Sequence, residues 1–183
     1  MPIRITGGSL RGRNIESPDT MKTRPTASRT REALFNILQG VDGFRMLDLF
    51  AGSGIMGLEA LSRGAASVTA VELARPQARM IERSYKSVGM DSRLKLLETS
   101  VLTLKKEIVC ADGCFDLIYA DPPFKDMDYP DLRPFIEWLS PGGVAVFEAP
   151  SRKLPEWAKG DDFHGQFRLY GDSELIMIRK CGL

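Results

Sequence analysis

The chain of 183 residues has little cysteine, a single histidine and no long apolar run, and each scarcity removes a class of function. Cys110, Cys114 and Cys181 are odd in number and suggest no disulfide framework. Cys110 and Cys114 lack a second ligand pair, so no metal site is expected. They read as small apolar fillers. His164 stands in a polar late stretch and reads as a surface loop residue, so a histidine-based triad is not expected. No apolar run approaches the roughly 20 residues that span a bilayer. Met1-Pro2-Ile3-Arg4 lacks the apolar core of a signal peptide, and a cytoplasmic location is expected. There is no internal repeat and no low-complexity segment. The length suits one domain over residues 1–183.

Charge is present but uneven. The net charge is +1, yet residues 1–31 carry +5 and the remainder −4. The basic groups are Arg4, Arg11, Arg13, Lys22, Arg24, Arg29 and Arg31. Such asymmetry suggests a nucleic-acid-facing end on a neutral body. The expectation is a basic extension over 1–25 and a catalytic core over 26–183. Ile3 to Thr6 and Leu10 to Ile15 flank Gly7-Gly8-Ser9 and predict a β-hairpin. Thr26 or Ser28 caps a predicted helix to about Gln39, with Gly40 as its stop. Ala33, Leu34, Ile37 and Leu38 share one face of it. Arg29 falls on the same broad face and Arg31 points elsewhere, so at least one arginine reaches outward.

The centre of the chain is Met46-Leu47-Asp48-Leu49-Phe50-Ala51-Gly52-Ser53-Gly54-Ile55-Met56-Gly57. A short apolar strand carries one carboxylate, a G-x-G-x-x-G turn follows, and Leu58 to Arg63 forms a helix that stops at Gly64. This is the layout of a nucleotide-binding unit. Further strands are predicted at Ser67–Glu72, Arg93–Leu97, Phe115–Ala120 and Gly143–Ala149. Helices are predicted from Pro76 to Gly89, over Val101–Ile108 and over Tyr129–Leu139, the last with a break expected at Pro134. Gln166–Tyr170 and Glu174–Arg179 form a hairpin across Gly171-Asp172. The alternation predicts a mainly parallel seven-stranded α/β sheet with helices on both faces and an antiparallel edge hairpin.

Ligands of such sheets bind beyond the carboxyl ends of the strands. Glu72 closes its strand twenty residues after Gly52, the spacing at which an acid takes ribose hydroxyls. Asp121-Pro122-Pro123-Phe124 closes another. Its two prolines remove N–H donors and leave carbonyl acceptors. Asp121 adds a carboxylate and Phe124 a flat apolar wall. Together they suit a planar group bearing an exocyclic amine, whose reacting nitrogen the acceptors would orient.

With these residues in hand, the chain resembles the Rossmann-like class I S-adenosylmethionine-dependent amino-group methyltransferases. Arg4-Ile5-Thr6-Gly7-Gly8, Gly12-Arg13, Arg24-Pro25-Thr26, Arg31 to Leu38, Leu58 to Ala65 and Tyr170-Gly171-Asp172 narrow the resemblance. It is to the bacterial 16S ribosomal RNA guanine-N2 methyltransferase RsmD family, over essentially the whole chain. The resemblance implies S-adenosylmethionine as cofactor and ribosomal RNA, or a small-subunit assembly particle, as partner. It implies a monomer that binds no membrane. Asp48 and the turn through Phe50, Ala51, Gly52, Ser53 and Gly54, with Gly57, would hold the methionine part. Glu72 would hold the ribose, with Leu73 beside adenine. Asp121 and the Pro122 carbonyl would hold the guanine amine, with Phe124 stacked on the base. Asp121 would also border the cofactor. Ser100 stands where the family often places an acid or amide near adenine. The seven basic residues of the first 31 would grip RNA phosphates.

Other readings remain open on the residues alone. An amino methyltransferase could act on another RNA base, a DNA base or a protein amide. The glycine pattern with Glu72 also suits a nicotinamide-dependent oxidoreductase, which leaves the Asp121 motif without a purpose. A catalytically idle RNA-binding module would leave the cofactor motifs without one.

Overall fold

The structure is a computed structural model, and it describes residues 2–17, 25–109, 114–123, 131–150, 166–170 and 173–180. Phe124, Lys22, Arg24, His164, Cys110, Cys181 and Gly171-Asp172 lie outside them.

A short antiparallel pair, β1 (Ile3–Arg4) and β2 (Asn14–Ile15), forms the predicted hairpin in shortened form. Its polar groups between the strands still pair: Ile5 donates to the Arg13 carbonyl at 2.9 Å and Gly12 to the Ile5 carbonyl at 2.9 Å. Helix α1 (Pro25–Ile37) follows, and the chain leaves it through Gln39 and Gly40, both at positive φ. The core then alternates β3 (Arg45–Asp48), α2 (Ile55–Ser62), β4 (Ser67–Glu72), α3 (Arg75–Ser87), β5 (Leu94–Glu98), α4 (Lys106–Val109), β6 (Phe115–Ala120), β7 (Leu139–Pro150), β8 (Gln166–Tyr170) and β9 (Ser173–Arg179).

The seven core strands form one sheet in the order β5-β4-β3-β6-β7-β9-β8. All neighbours from β5 to β7 are parallel, and β9 runs antiparallel between β7 and β8. The predicted hairpin is therefore present, with its second arm inside the sheet and its first at the edge. Side chains alternate along each strand and supply two cores. Met46, Leu117, Tyr119, Val144 and Val146 pack on one face with α1, α2 and α3. Leu47, Leu49, Ile118, Ala145 and Phe147 pack on the other with Phe135 and Trp138. Each fully buried valine, leucine, isoleucine, methionine or phenylalanine among them contributes about 1.5–3 kcal/mol.

Three expectations need correction. The helix predicted over Tyr129–Leu139 is, where described, a 3₁₀ turn over Arg133–Trp138 with Pro134 near its start. Proline there starts a turn but gives no donor to lengthen it, and β7 begins already at Leu139. The helix expected over Val101–Ile108 is split into a 3₁₀ turn, Val101–Thr103, and α4. Cys114 is disulfide-bonded, against the expectation of small apolar fillers with no disulfide; its partner cysteine lies outside the described residues.

Arg31 is also corrected. It was expected on RNA, but it is buried and its Nε lies 3.4 Å from Glu59 Oε1. Glu59 is fully buried on α2. It also accepts from the Thr6 N–H at 2.7 Å and pairs with Arg63. Arg31 donates further to the Arg4 carbonyl at 3.1 Å, and Arg63 lies 4.5 Å over the Phe35 ring. Ser62 completes the seat: its hydroxyl donates to the Gly7 carbonyl at 2.5 Å and accepts from Leu10 N–H at 2.8 Å. A Cβ on Gly8 would stand 1.8 Å from the Ser62 carbonyl oxygen. The amino-terminal arm and α1 are thus bolted to α2 by polar contacts.

Removing Glu59 leaves the Arg31 charge buried without its carboxylate. Glu59→Ala is expected to lower unfolding free energy by about 3–5 kcal/mol. Urea denaturation checks this, and a loss near zero would show that the cluster does not hold the arm.

Candidate active site

The chain runs from β3 to β5 on one side of the sheet and resumes at β6 on the other, so β3 and β6 flank the switch point. Asp48 ends β3, level with Tyr119 of β6 and Ala70 of β4. It is 1% exposed, and neither carboxylate oxygen has a hydrogen-bond partner among the described residues. Burial, and then the charge of Glu72, push its pKa up to about 7; the nearby Gly57 N–H opposes the rise without reaching hydrogen-bond geometry. A buried carboxylate without a partner is costly. A cationic group arriving in the crevice would be a partner for it.

The turn after Asp48 is held from both sides. Ala51 donates to the Val71 carbonyl at 3.0 Å, and Gly54 to the Ala51 carbonyl at 2.7 Å. Gly54 then caps α2 at φ 74°, a left-handed conformation that favours glycine. Glu72 accepts from Gly52 N–H at 2.9 Å through one oxygen and from Ala74 N–H at 2.8 Å through the other. Each oxygen keeps a second lone pair for a hydroxyl. Phe50 is half-buried, and Ala51 and Ser53 are buried in the same turn.

Sequence reasoning credited the glycines to a ligand; the structure adds another reason. A Cβ on Gly57 would stand 2.1 Å from the Tyr85 hydroxyl and 2.8 Å from Val68. A Cβ on Gly54 would meet Ile81 and Tyr85 at 3.1 Å each. Tyr85, fully buried on α3, donates to the Gly54 carbonyl at 3.2 Å. Burial, and then Asp48, hold its phenol well above the usual tyrosine pKa, so it remains a donor. The pattern is a packing motif against α3 as well as a turn.

Past β4 and β5 stand the only two large apolar side chains exposed among the described residues, Leu73 at 70% and Leu102 at 67%. β4 and β5 are paired neighbours, so these ends are adjacent in the sheet. Leu73 was expected beside adenine; Leu102, not singled out in the sequence, is the second exposed apolar group at this end of the sheet. Its signal was a leucine one turn past a strand end, where a solvated side chain was the safer reading. Ser100 caps the 3₁₀ turn: its hydroxyl accepts from Leu102 N–H at 3.3 Å.

On the β6 side, Asp121 keeps an exposed edge and Pro122 is buried. Loss of hydration on its inner side raises the Asp121 carboxyl, and Glu148 and Asp48 add to the rise. Buried Tyr119 donates to Glu148 Oε1 at 2.5 Å. Burial first, then Glu148, Asp121 and Asp48, hold the Tyr119 phenol well above its usual range. Asp48, Glu72, Asp121 and Glu148 make the crevice acidic, which suits a cation. The same residues fit S-adenosylmethionine, whose sulfonium and ammonium are both cationic. Among the described residues no group of three or more histidine, cysteine or acidic side chains could hold a metal.

The expected RNA-facing residues divide. Arg4, Arg11, Arg13 and Arg29 are exposed, and Arg13 donates to the Ser87 carbonyl at 3.2 Å. Arg31 is buried as described. No helix among the described residues is long and apolar enough to cross a membrane.

An antiparallel strand inserted into a parallel sheet, over an acidic crevice at the switch point, defines the fold of a class I methyltransferase. A family model described as "Conserved hypothetical protein 95" matches residues 3–178. The chain is 36% identical over 124 residues to "Ribosomal RNA small subunit methyltransferase D" of Escherichia coli (strain K12), a match covering 67% of this chain and 61% of that protein. The Escherichia coli protein yhhF, solved under a provisional methyltransferase name, superposes with a TM-score of 0.78 at 25% identity over 100% of both chains. An RNA methyltransferase of Salinibacter ruber, solved with S-adenosyl-L-homocysteine, shares the fold at TM-score 0.60 and 16% identity, over 86% of this chain and 94% of that one. The chain belongs to the RsmD family of S-adenosylmethionine-dependent methyltransferases.

Asp48 carries a testable consequence for the protein without ligand. Its folded pKa is raised above the unfolded value, so its contribution to stability is fully present below about pH 4 and is lost as pH rises through 7. Relative to Asp48→Asn, the parent should lose on the order of 4 kcal/mol across that window. Urea unfolding of both proteins from pH 4 to 8 checks this. Parallel curves would show that Asp48 is not held protonated by the fold.

Proposed function

We propose that this protein methylates the exocyclic N2 amine of a guanine in small-subunit ribosomal RNA. The observation that supports the reading is the placement of Asp121 and Pro122 across the switch point from Asp48, which has no hydrogen-bond partner among the described residues. A cation held by Asp48 and an amine held by Asp121 would meet over the ends of β3 and β6. The chain matches 61% of the length of its Escherichia coli relative, whose name specifies small-subunit ribosomal RNA; that substrate is carried over here as part of the proposal.

When bound, S-adenosylmethionine supplies an electrophilic methyl group on a sulfonium. Asp48 would take its ammonium, Glu72 its ribose hydroxyls, and Leu73 and Leu102 the faces of its adenine. Gly52, Ser53 and Gly54, with Phe50 and Ala51, would shape the floor, and Ser100 would lie at the adenine edge. Asp121 and the Pro122 carbonyl would accept the two amine hydrogens and turn the nitrogen lone pair toward the methyl carbon. Transfer held in line by Asp48 and Asp121 would form the N–C bond and leave the electron pair of the broken C–S bond on sulfur. The nitrogen, now positive, gives one proton to Asp121. A guanine amine is not acidic beforehand, so Asp121 works as an aligning acceptor until charge develops. Phe124 would stack on the base. The raised pKa of Asp121 equips it to receive that proton.

The base must leave its stack to enter the crevice. Exposed Arg4, Arg11, Arg13 and Arg29, with Lys22 and Arg24, would hold phosphates around it. Arg31 takes no part in this contact; it anchors the arm that presents the others. A cytoplasmic monomer acting on RNA or on an assembling subunit is part of the same proposal.

Asp121→Ala should lower single-turnover methyl transfer by roughly 10²–10³ with cofactor affinity kept. Asp121→Asn should retain more activity than alanine. Turnover at the parent rate would remove Asp121 from the reaction. Separately, replacing Arg11 and Arg13 with alanine should raise KM for RNA and flatten its logarithmic salt dependence by about 0.7–0.9 per lost contact. An unchanged slope would show that these side chains do not touch the backbone. Mass-spectrometric mapping of RNA methylated in vitro should find N2-methylguanosine; methyl groups only on adenine or protein would overturn the assignment.

A further inference from the structure

Four carboxylates surround the crevice, and the reaction described above uses three. Glu148 is left over. It lies on β7, half-buried, one residue past the pairing of Phe147 with Ala120. That parallel register brings it level with Asp121, which directly follows Ala120. One of its oxygens is fixed by the Tyr119 hydroxyl at 2.5 Å. Tyr119 is buried, so the contact comes from beneath and leaves Glu148 bordering the acceptor site. A buried phenol needs an acceptor, and the carboxylate that serves it here is the one level with Asp121.

We propose that Glu148 is a specificity-determining residue that accepts the N1–H of the target guanine, beside the N2 amine held by Asp121. Guanine is the common base with adjacent N1–H and exocyclic N2–H donors on one edge. Two carboxylates side by side offer a matching pair of acceptors. Adenine presents an acceptor at N1, and a carboxylate there would repel it. The tyrosine keeps Glu148 from turning away when the base is absent. The inference rests on the guanine-N2 reading and extends it to the choice of base.

The test uses 2-aminopurine, which keeps the reacting amine but has a bare acceptor at N1 and no oxygen at C6. A synthetic RNA fragment carrying the mapped guanine is compared with one carrying 2-aminopurine at that position. The parent should prefer guanine strongly in kcat/KM. Glu148→Gln keeps an oxygen for Tyr119 and gains an amide donor that suits the bare N1. It should lower the guanine to 2-aminopurine ratio by about ten-fold or more, since a good base-edge contact discriminates by that order. Cofactor affinity and thermal midpoint, read on the same samples, should stay those of the parent; a purely structural role would move these and leave the ratio alone. An unchanged ratio overturns the inference while methylation of guanine by the parent upholds the underlying reading. Failure of the parent to methylate guanine at N2 overturns both.

Discussion

A buried carboxylate with no hydrogen-bond partner among the described residues is the constraint on which the site depends. Asp48 sits where the sheet reverses its winding, in a position that desolvation makes unfavourable for a charge. The protein tolerates this because two apolar cores, one on each sheet face, fix β3 between β4 and β6. Tyr85 and the glycines at 54 and 57 lock the turn beside it, and Glu72 clamps Gly52. None of these groups takes a hydrogen from Asp48 or gives one to it within bonding geometry. The fold thus concentrates negative potential in a crevice instead of neutralising it internally. A cationic ligand would relieve that tension on binding.

Helix α2 connects this crevice to the surface expected to meet RNA. Its first turn begins at Gly54, in the floor of the crevice. Its later turns carry Glu59 and Ser62, which seat the amino-terminal arm and Arg31 of α1. Every residue of the helix is buried, including these two polar ones. Their burial is offset by specific partners, so the arm is placed by directional bonds as well as apolar contact. That arrangement fixes how far Arg4, Arg11 and Arg13 stand from the crevice.

Much of this was legible in the residues. Strong alternation of apolar strands with helices marked the sheet, and β4 and β6 lie where their patterns placed them. Asp48, Glu72 and Asp121 were visible because each carboxylate interrupts or closes an apolar run. Contacts between distant segments were harder to read. Arg31 looks like its cationic neighbours, yet it lies three and seven residues before Leu34 and Leu38 on the buried stripe of α1. That spacing was its signal, but the sequence reading put Arg29 on the apolar face and Arg31 off it, and the structure has Arg29 exposed and Arg31 buried. Glu59 and Tyr85 act through partners 53 and 31 residues away, which local periodicity does not encode. Leu102 needed the sheet order, which puts the end of β5 beside the end of β4. The short 3₁₀ turn at Arg133–Trp138 replaced a predicted helix because Pro134 weakens local helix signals that the apolar pattern alone suggests.

Calorimetric titration with S-adenosylmethionine tests most directly whether Asp48 binds the cofactor's cation. With a carboxyl pKa of about 7 before binding, the parent's affinity should fall by about ten-fold from pH 8 to pH 6 as Asp48 takes up a proton. Asp48→Asn should bind weakly at both pH values with no such fall. Parent-like affinity in Asp48→Asn across the range would contradict the account.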